Sequence, residues 1–136
     1  MDEGTLLYFK NILENRLDEI LAESEKICST LKDGGEEREP VDSVDFAASQ
    51  HALDVRMRIQ DHNHQLLLQV RAALERIASG EFGICEECGD DIAIGRLKAQ
   101  PTTVLCLDCM REMEASRRIK ADRGSTASGL REAVDR

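Results

Sequence analysis

Apolar residues recur along the first third of the chain with the alternating three- and four-residue spacing of a coiled coil. Leu6, Leu13, Ile20 and Ile27 form one seven-residue series. Lys10, Leu17, Ser24 and Leu31 fill the alternate seam position, with Lys10 and Ser24 weakening it locally. Nothing breaks a helix from about Thr5 to Lys32, and Asp33-Gly34-Gly35 supplies a stop. A helix of that length is roughly 40 Å long, an arm and not a compact element. A second run, from near Ser43 to Ala78, repeats the pattern. Ile59, Leu66 and Ala73 form one series and Asn63, Val70 and Ile77 the other, with Leu67 and Leu74 widening the stripe. Asn63 on a seam would set register at some cost in stability. Ser79-Gly80 ends this run. Two heptad arms joined by a short turn predict an antiparallel hairpin.

The turn is polar and acidic and contains Pro40. It leads into Asp42-Ser43-Val44-Asp45-Phe46-Ala47. Two compatible readings stand here. In one, Asp42 caps the second helix, Asp45 completes a capping box and Phe46 staples onto the first arm. In the other, the acids form a charged probe at the end of a rod.

After the arms the pattern changes. Cys85-Glu86-Glu87-Cys88 and Cys106-Leu107-Asp108-Cys109 are two Cys-x-x-Cys pairs separated by residues 89–105. Each pair lets two sulfurs reach one metal from a single tight turn, and two such knuckles complete a tetrahedron with no open position for a substrate water. Cys85, Cys88, Cys106 and Cys109 are therefore the predicted ligands of one structural zinc. Gly83 and Gly89 allow the reversal of the first knuckle. Ile92, Ile94 and Leu97 are the apolar residues available to pack around the metal, and zinc would supply the folding energy that so small a core lacks. Arg96 reads either as a counter-charge to the anionic site or as a partner contact, and we favour the former. A helix from about Asp108 to Arg123 closes the lobe, and the Gly-Ser-Thr-Ala-Ser-Gly stretch from Gly124 has linker composition. The fifth cysteine, Cys28, reads as a small half-buried residue of the first arm. His51, His62 and His64 lack the three- or four-residue spacing of a shared helical site and read as solvated surface.

The expected architecture is all-α dominated: a coiled-coil hairpin over 1–80 with its acidic tip near 34–47, a zinc lobe and C-terminal helix over 81–123, and a mobile tail over 124–136. Three Phe, one Tyr and no Trp suit a narrow helical seam better than a broad core. The net charge of −9 argues against a general affinity for DNA or RNA, and no direct sequence-specific DNA binding is expected. Charge is uneven: Glu36, Glu37, Glu39, Asp42, Asp45 and Asp54 stand against Arg38 alone, whereas Arg117, Arg118, Lys120 and Arg123 stand against Asp122. No stretch has the length of a membrane span, Met1-Asp2-Glu3 lacks the start of a signal peptide, and thiols kept for metal suit a reducing cytoplasm.

Cys85-Glu86-x-Cys88, Ile92, Arg96, Pro101 and Cys106-x-x-Cys109, in that spacing, resemble the zinc-finger signature of the DksA/TraR family. Independently, Asp42-x-x-Asp45-x-Ala47 resembles the acidic tip of that family's DksA branch. The order of arm, tip, arm, zinc lobe and helix agrees, over about residues 4–120. The resemblance implies a cytoplasmic, monomeric bacterial transcription regulator of the stringent-response kind that binds RNA polymerase rather than DNA. It implies a hairpin inserted in the polymerase secondary channel, with Asp42, Asp45 and Ala47 near the catalytic centre, altering open-complex lifetime at promoters that include those of ribosomal RNA. Arg56, Arg58 and Arg96 would be candidate polymerase contacts. The family's basic residues for the alarmone ppGpp fall here on Gln69, Gln100 and Met110, so ppGpp synergy is expected to be weakened. No catalytic residue is assigned. The competing readings are a zinc-stapled coiled-coil adaptor, in which the acids only cap, and a transcript-cleavage factor, in which paired acids hold a metal for the polymerase.

Overall fold

A computed structural model describes residues 1–33 and 42–129. Residues 34–41 of the expected acidic turn, and 130–136 of the expected tail, lie outside the described residues. Four helices follow in chain order: α1 (Glu3–Asp33), α2 (Ser43–Ser79), α3 (Ile94–Ala99) and α4 (Leu107–Gly129). The chain divides into two compact units, Met1–Phe82 and Gly83–Arg136. No helix among the described residues is long and apolar enough to cross a membrane.

The first unit is the antiparallel hairpin. Phe9 meets Phe82 beyond the end of α2, with ring centroids 5.4 Å apart. Midway, Arg16 and Glu23 share a groove with Ile59, Asn63 and Leu66; farther on, Thr30 and Leu31 lie beside Ser49 and Leu53. Numbers rise on one arm as they fall on the other. At 1.5 Å per residue the arms run about 45 and 55 Å. α1 starts slightly before Thr5: the Asp2 carbonyl accepts from the Leu6 amide at 3.1 Å, and the Asp2 carboxylate accepts from the Thr5 hydroxyl. α2 ends where the sequence places its stop. Gly80 takes φ 81°, the left-handed backbone that glycine tolerates, and the Glu81 and Phe82 amides bond back to the Arg76 carbonyl.

Burial follows the heptads with two shifts. Leu13, Ile20, Asn63, Val70 and Ala73 are buried, as the series require. Near the start of α1, however, Phe9 is the seam residue, fully buried, while Lys10 is exposed and reaches Glu14 at 3.9 Å. On α2, Ile59 is 39% exposed and Gln60 turns inward in its place. Straight helices drift against a strict seven-residue repeat, so a neighbour of the ideal position takes the seam. Cys28 is exposed, not half-buried. Phe46 keeps 51% of its surface exposed, so the expected staple onto the first arm is not formed among the described residues.

In the second unit, Ile92, Leu97 and Leu105 with Cys85 form the core. α4 continues to Gly129, past the Arg123 at which the sequence suggested an end. Gly124 costs a helix only about 1 kcal/mol relative to alanine, which its neighbours can absorb.

Candidate metal centre and hairpin tip

The first knuckle is built by backbone. Gly83 and Gly89 take φ of 85° and 75°. Between them the Cys85 amide donates to the Asp90 carbonyl at 2.8 Å, the Gly89 amide to the Cys85 carbonyl at 3.0 Å, and the Ile92 amide to the Gly83 carbonyl at 2.7 Å. An antiparallel bridge between Ile84 and Asp91 closes the loop. The second knuckle is fixed to the first by the Glu86 amide, which donates to the Val104 carbonyl at 3.0 Å. Cys106 also starts α4: its carbonyl accepts from the Met110 amide at 3.1 Å, and its Sγ accepts from the Cys109 amide at 3.5 Å. A ligand sulfur thus occupies the place of a capping oxygen at this helix start.

The four Sγ atoms lie within 4.8 Å of one another and are the only such His/Cys/Asp/Glu group among the described residues. Cys88 Sγ and Cys106 Sγ are 3.8 Å apart. Four sulfurs about 2.3 Å from a tetrahedral zinc would be about 3.8 Å from each other, so the set fits that ion. The electrostatics agree. Amides of Cys88 and Cys106 hold the Cys85 thiol down at about 6, the latter donating to Cys85 Sγ at 3.3 Å. The Asp90 amide pulls Cys88 down, but Cys85, burial and Cys106 outweigh it and the net shift is upward. Cys106, then burial, drives Cys109 strongly upward. Sulfurs this close cannot all carry charge without a cation between them. Cys85, Cys88, Cys106 and Cys109 therefore hold one structural zinc, whose chemistry is to crosslink the two knuckles.

Arg96 braces this lobe. Its Nε donates to the Leu105 carbonyl at 3.0 Å, just before Cys106, and its Nη2 lies 3.5 Å from the Thr103 hydroxyl. The bracing contact is to backbone, a feature that residue spacing alone does not reveal.

At the hairpin tip the two aspartates differ. Asp42 is the N-cap of α2, with extended backbone, and its Oδ1 accepts from the Asp45 amide at 2.8 Å. The Asp45 carboxylate is exposed and has no partner among the described residues. Ala47, two residues on, is exposed. Arg56 is half-buried in the groove with Leu31 and Leu53, and Arg58 is exposed beside Val55 and Ile59. His51, His62 and His64 are all exposed and join no metal-ligand cluster among the described residues.

Comparisons with known proteins match both units. Residues 5–77 match the family model described as "DnaK suppressor protein DksA, N-terminal domain", and residues 80–115 match the "Prokaryotic dksA/traR C4-type zinc finger". The chain is 34% identical over 109 residues to the RNA polymerase-binding transcription factor DksA of Salmonella typhimurium, covering 80% of this chain and 71% of that protein. It is 32% identical over 122 residues to the DksA of Caulobacter vibrioides, covering 90% and 84%. The solved structure of transcription factor DksA2 from Pseudomonas aeruginosa superimposes with a TM-score of 0.76 at 30% identity, covering 87% of this chain and 89% of that one. With both of its parts matched by family models, and with relatives of this identity and coverage, the chain belongs to the DksA family of zinc-finger transcription factors.

Proposed function

We propose that this protein is a non-enzymatic transcription regulator that binds RNA polymerase through the secondary channel and shortens the life of promoter open complexes. The names of its relatives support polymerase binding. The observation that carries the finer reading is the division of labour at the tip. Asp42 is occupied in capping α2, which leaves the Asp45 carboxylate exposed and without a partner among the described residues, on the first turn of a long helix. An exposed carboxylate there is suited to act on a site built from metal ions and substrate phosphates.

Zinc-loaded protein added to RNA polymerase on a ribosomal RNA promoter should shorten the open-complex lifetime and compete with other factors that enter the same channel. Absence of both effects would return the protein to an adaptor role. Shortened RNA from a stalled complex would instead identify a cleavage factor.

Alarmone response belongs to the same reading. Gln69 and Gln100 are exposed and Met110 is half-buried, and none carries a positive charge to meet a phosphate. Adding ppGpp should therefore change the effect on open-complex lifetime little. The triple change Gln69→Lys, Gln100→Arg and Met110→Lys should enlarge the ppGpp response at least several-fold. A strong response in the unaltered protein would refute this assignment.

A further inference from the structure

The hairpin seam is not uniform. On the side of Phe82 it is closed by Phe9, Leu13 and Ile20 from α1 and by Val70 and Ala73 from α2, all buried. Asn63, 4% exposed, is the last buried residue toward the tip. Beyond it, no residue of 21–32 or 42–62 is buried. Most of the large apolar side chains there, among them Leu21, Leu31, Leu53, Val55, Met57 and Ile59, stay more than a third exposed. What faces inward is only half-buried: Ser24 and Ile27 on α1, Arg56 and Gln60 on α2, of which only Ile27 is apolar.

A polar layer sits at the junction. Asn63 Nδ2 and Gln60 Oε1 are both shielded from solvent and both lack a hydrogen-bond partner. The Gln60 amide nitrogen reaches only the Cys28 sulfur, at 4.0 Å. A buried donor and a buried acceptor left unmatched disfavour the closed form, because both regain water when the arms part. Toward Phe82 that gain is opposed by a continuous apolar seam. Toward the tip little apolar burial opposes it. Local opening follows low apolar contact and weakly held side chains.

We propose that Gln60 and Asn63 mark a boundary at which the coiled coil divides, so that the distal parts of α1 and α2 part and rejoin as one unit while the base stays closed. The tip aspartate Asp45 rides on the part that opens. A partner that holds both arms side by side would draw the equilibrium toward the closed form.

Amide hydrogen exchange on the full, zinc-loaded chain tests this. Peptides from 21–33 and 43–58 should exchange at least about tenfold faster than peptides from 6–20 and 66–77, with both distal segments alike. Gln60→Leu/Asn63→Leu should slow the distal segments by about tenfold or more and leave the base unchanged. Asn63→Leu alone should act in the same direction. Equal protection along both arms of the unaltered protein would overturn the proposal, as would distal rates that neither variant moves. Loss of protection at the base in both variants would also overturn it, since the layer would then be holding the whole seam together.

Discussion

Cys85 illustrates how a single residue carries both fold and chemistry. Its sulfur accepts from the Cys106 amide, its amide donates to Asp90 and its carbonyl accepts from Gly89. Backbone amides of Cys88 and Cys106 hold its thiol at about 6, below the ordinary 9.0. A folded-state pKa lowered in this way favours the thiolate. Its contribution is present in full above the free thiol's value and is lost as pH falls through about 6. Bound zinc competes with protons for the same sulfur and shifts the loss further into acid. Zinc should therefore remain bound at pH 7 and be released on acidification below about pH 6, followed with a chromophoric chelator. Release already complete at pH 7 would contradict this account. The four ligands were readable from sequence because a Cys-x-x-Cys knuckle is local, its geometry set by four consecutive residues. The Arg96 brace on Leu105 and the Cys106 cap on α4 are not readable that way, since each depends on where a folded backbone places a carbonyl or an amide.

Among the elements, the two long helices were legible in type, ends and pairing. The heptad series located Leu13, Ile20, Val70 and Ala73 on the seam, and Gly80 marked the end of α2. The two displaced positions show what periodicity misses. Phe9 and Lys10 are neighbours 100° apart on the helix, and tertiary packing selects the aromatic, which Phe82 meets from beyond the other arm. Phe9→Ala should cost about 3–5 kcal/mol of hairpin stability, whereas Lys10→Ala should stay within about 0.5 kcal/mol. Thermal or urea unfolding followed by circular dichroism measures both, and equal effects would refute the seam assignment. Likewise Ile59 and Gln60 exchange roles, and that exchange puts a second polar side chain beside Asn63. The length of α4 was underestimated because the Gly and Ser residues from Gly124 onward resemble a linker by composition, although none forbids a helix.

At the scale of the whole molecule, two units divide the work. A hairpin with arms of 31 and 37 residues needs only a stripe of apolar side chains, while a lobe with few core residues relies on metal. The chain's net charge of −9 argues against a general affinity for nucleic acid, which agrees with a regulator whose partner is a protein. In the proposed function the exposed tip carboxylate of Asp45, and not the capping one of Asp42, acts on the polymerase. Open-complex lifetime on a ribosomal RNA promoter, measured with Asp45→Asn and Asp42→Asn side by side, tests it most directly. Asparagine still caps a helix, so both variants keep α2 intact. Asp45→Asn should lose most of the lifetime-shortening effect while binding polymerase normally, and Asp42→Asn should retain it. Full activity in Asp45→Asn would rule out this role for the Asp45 carboxylate.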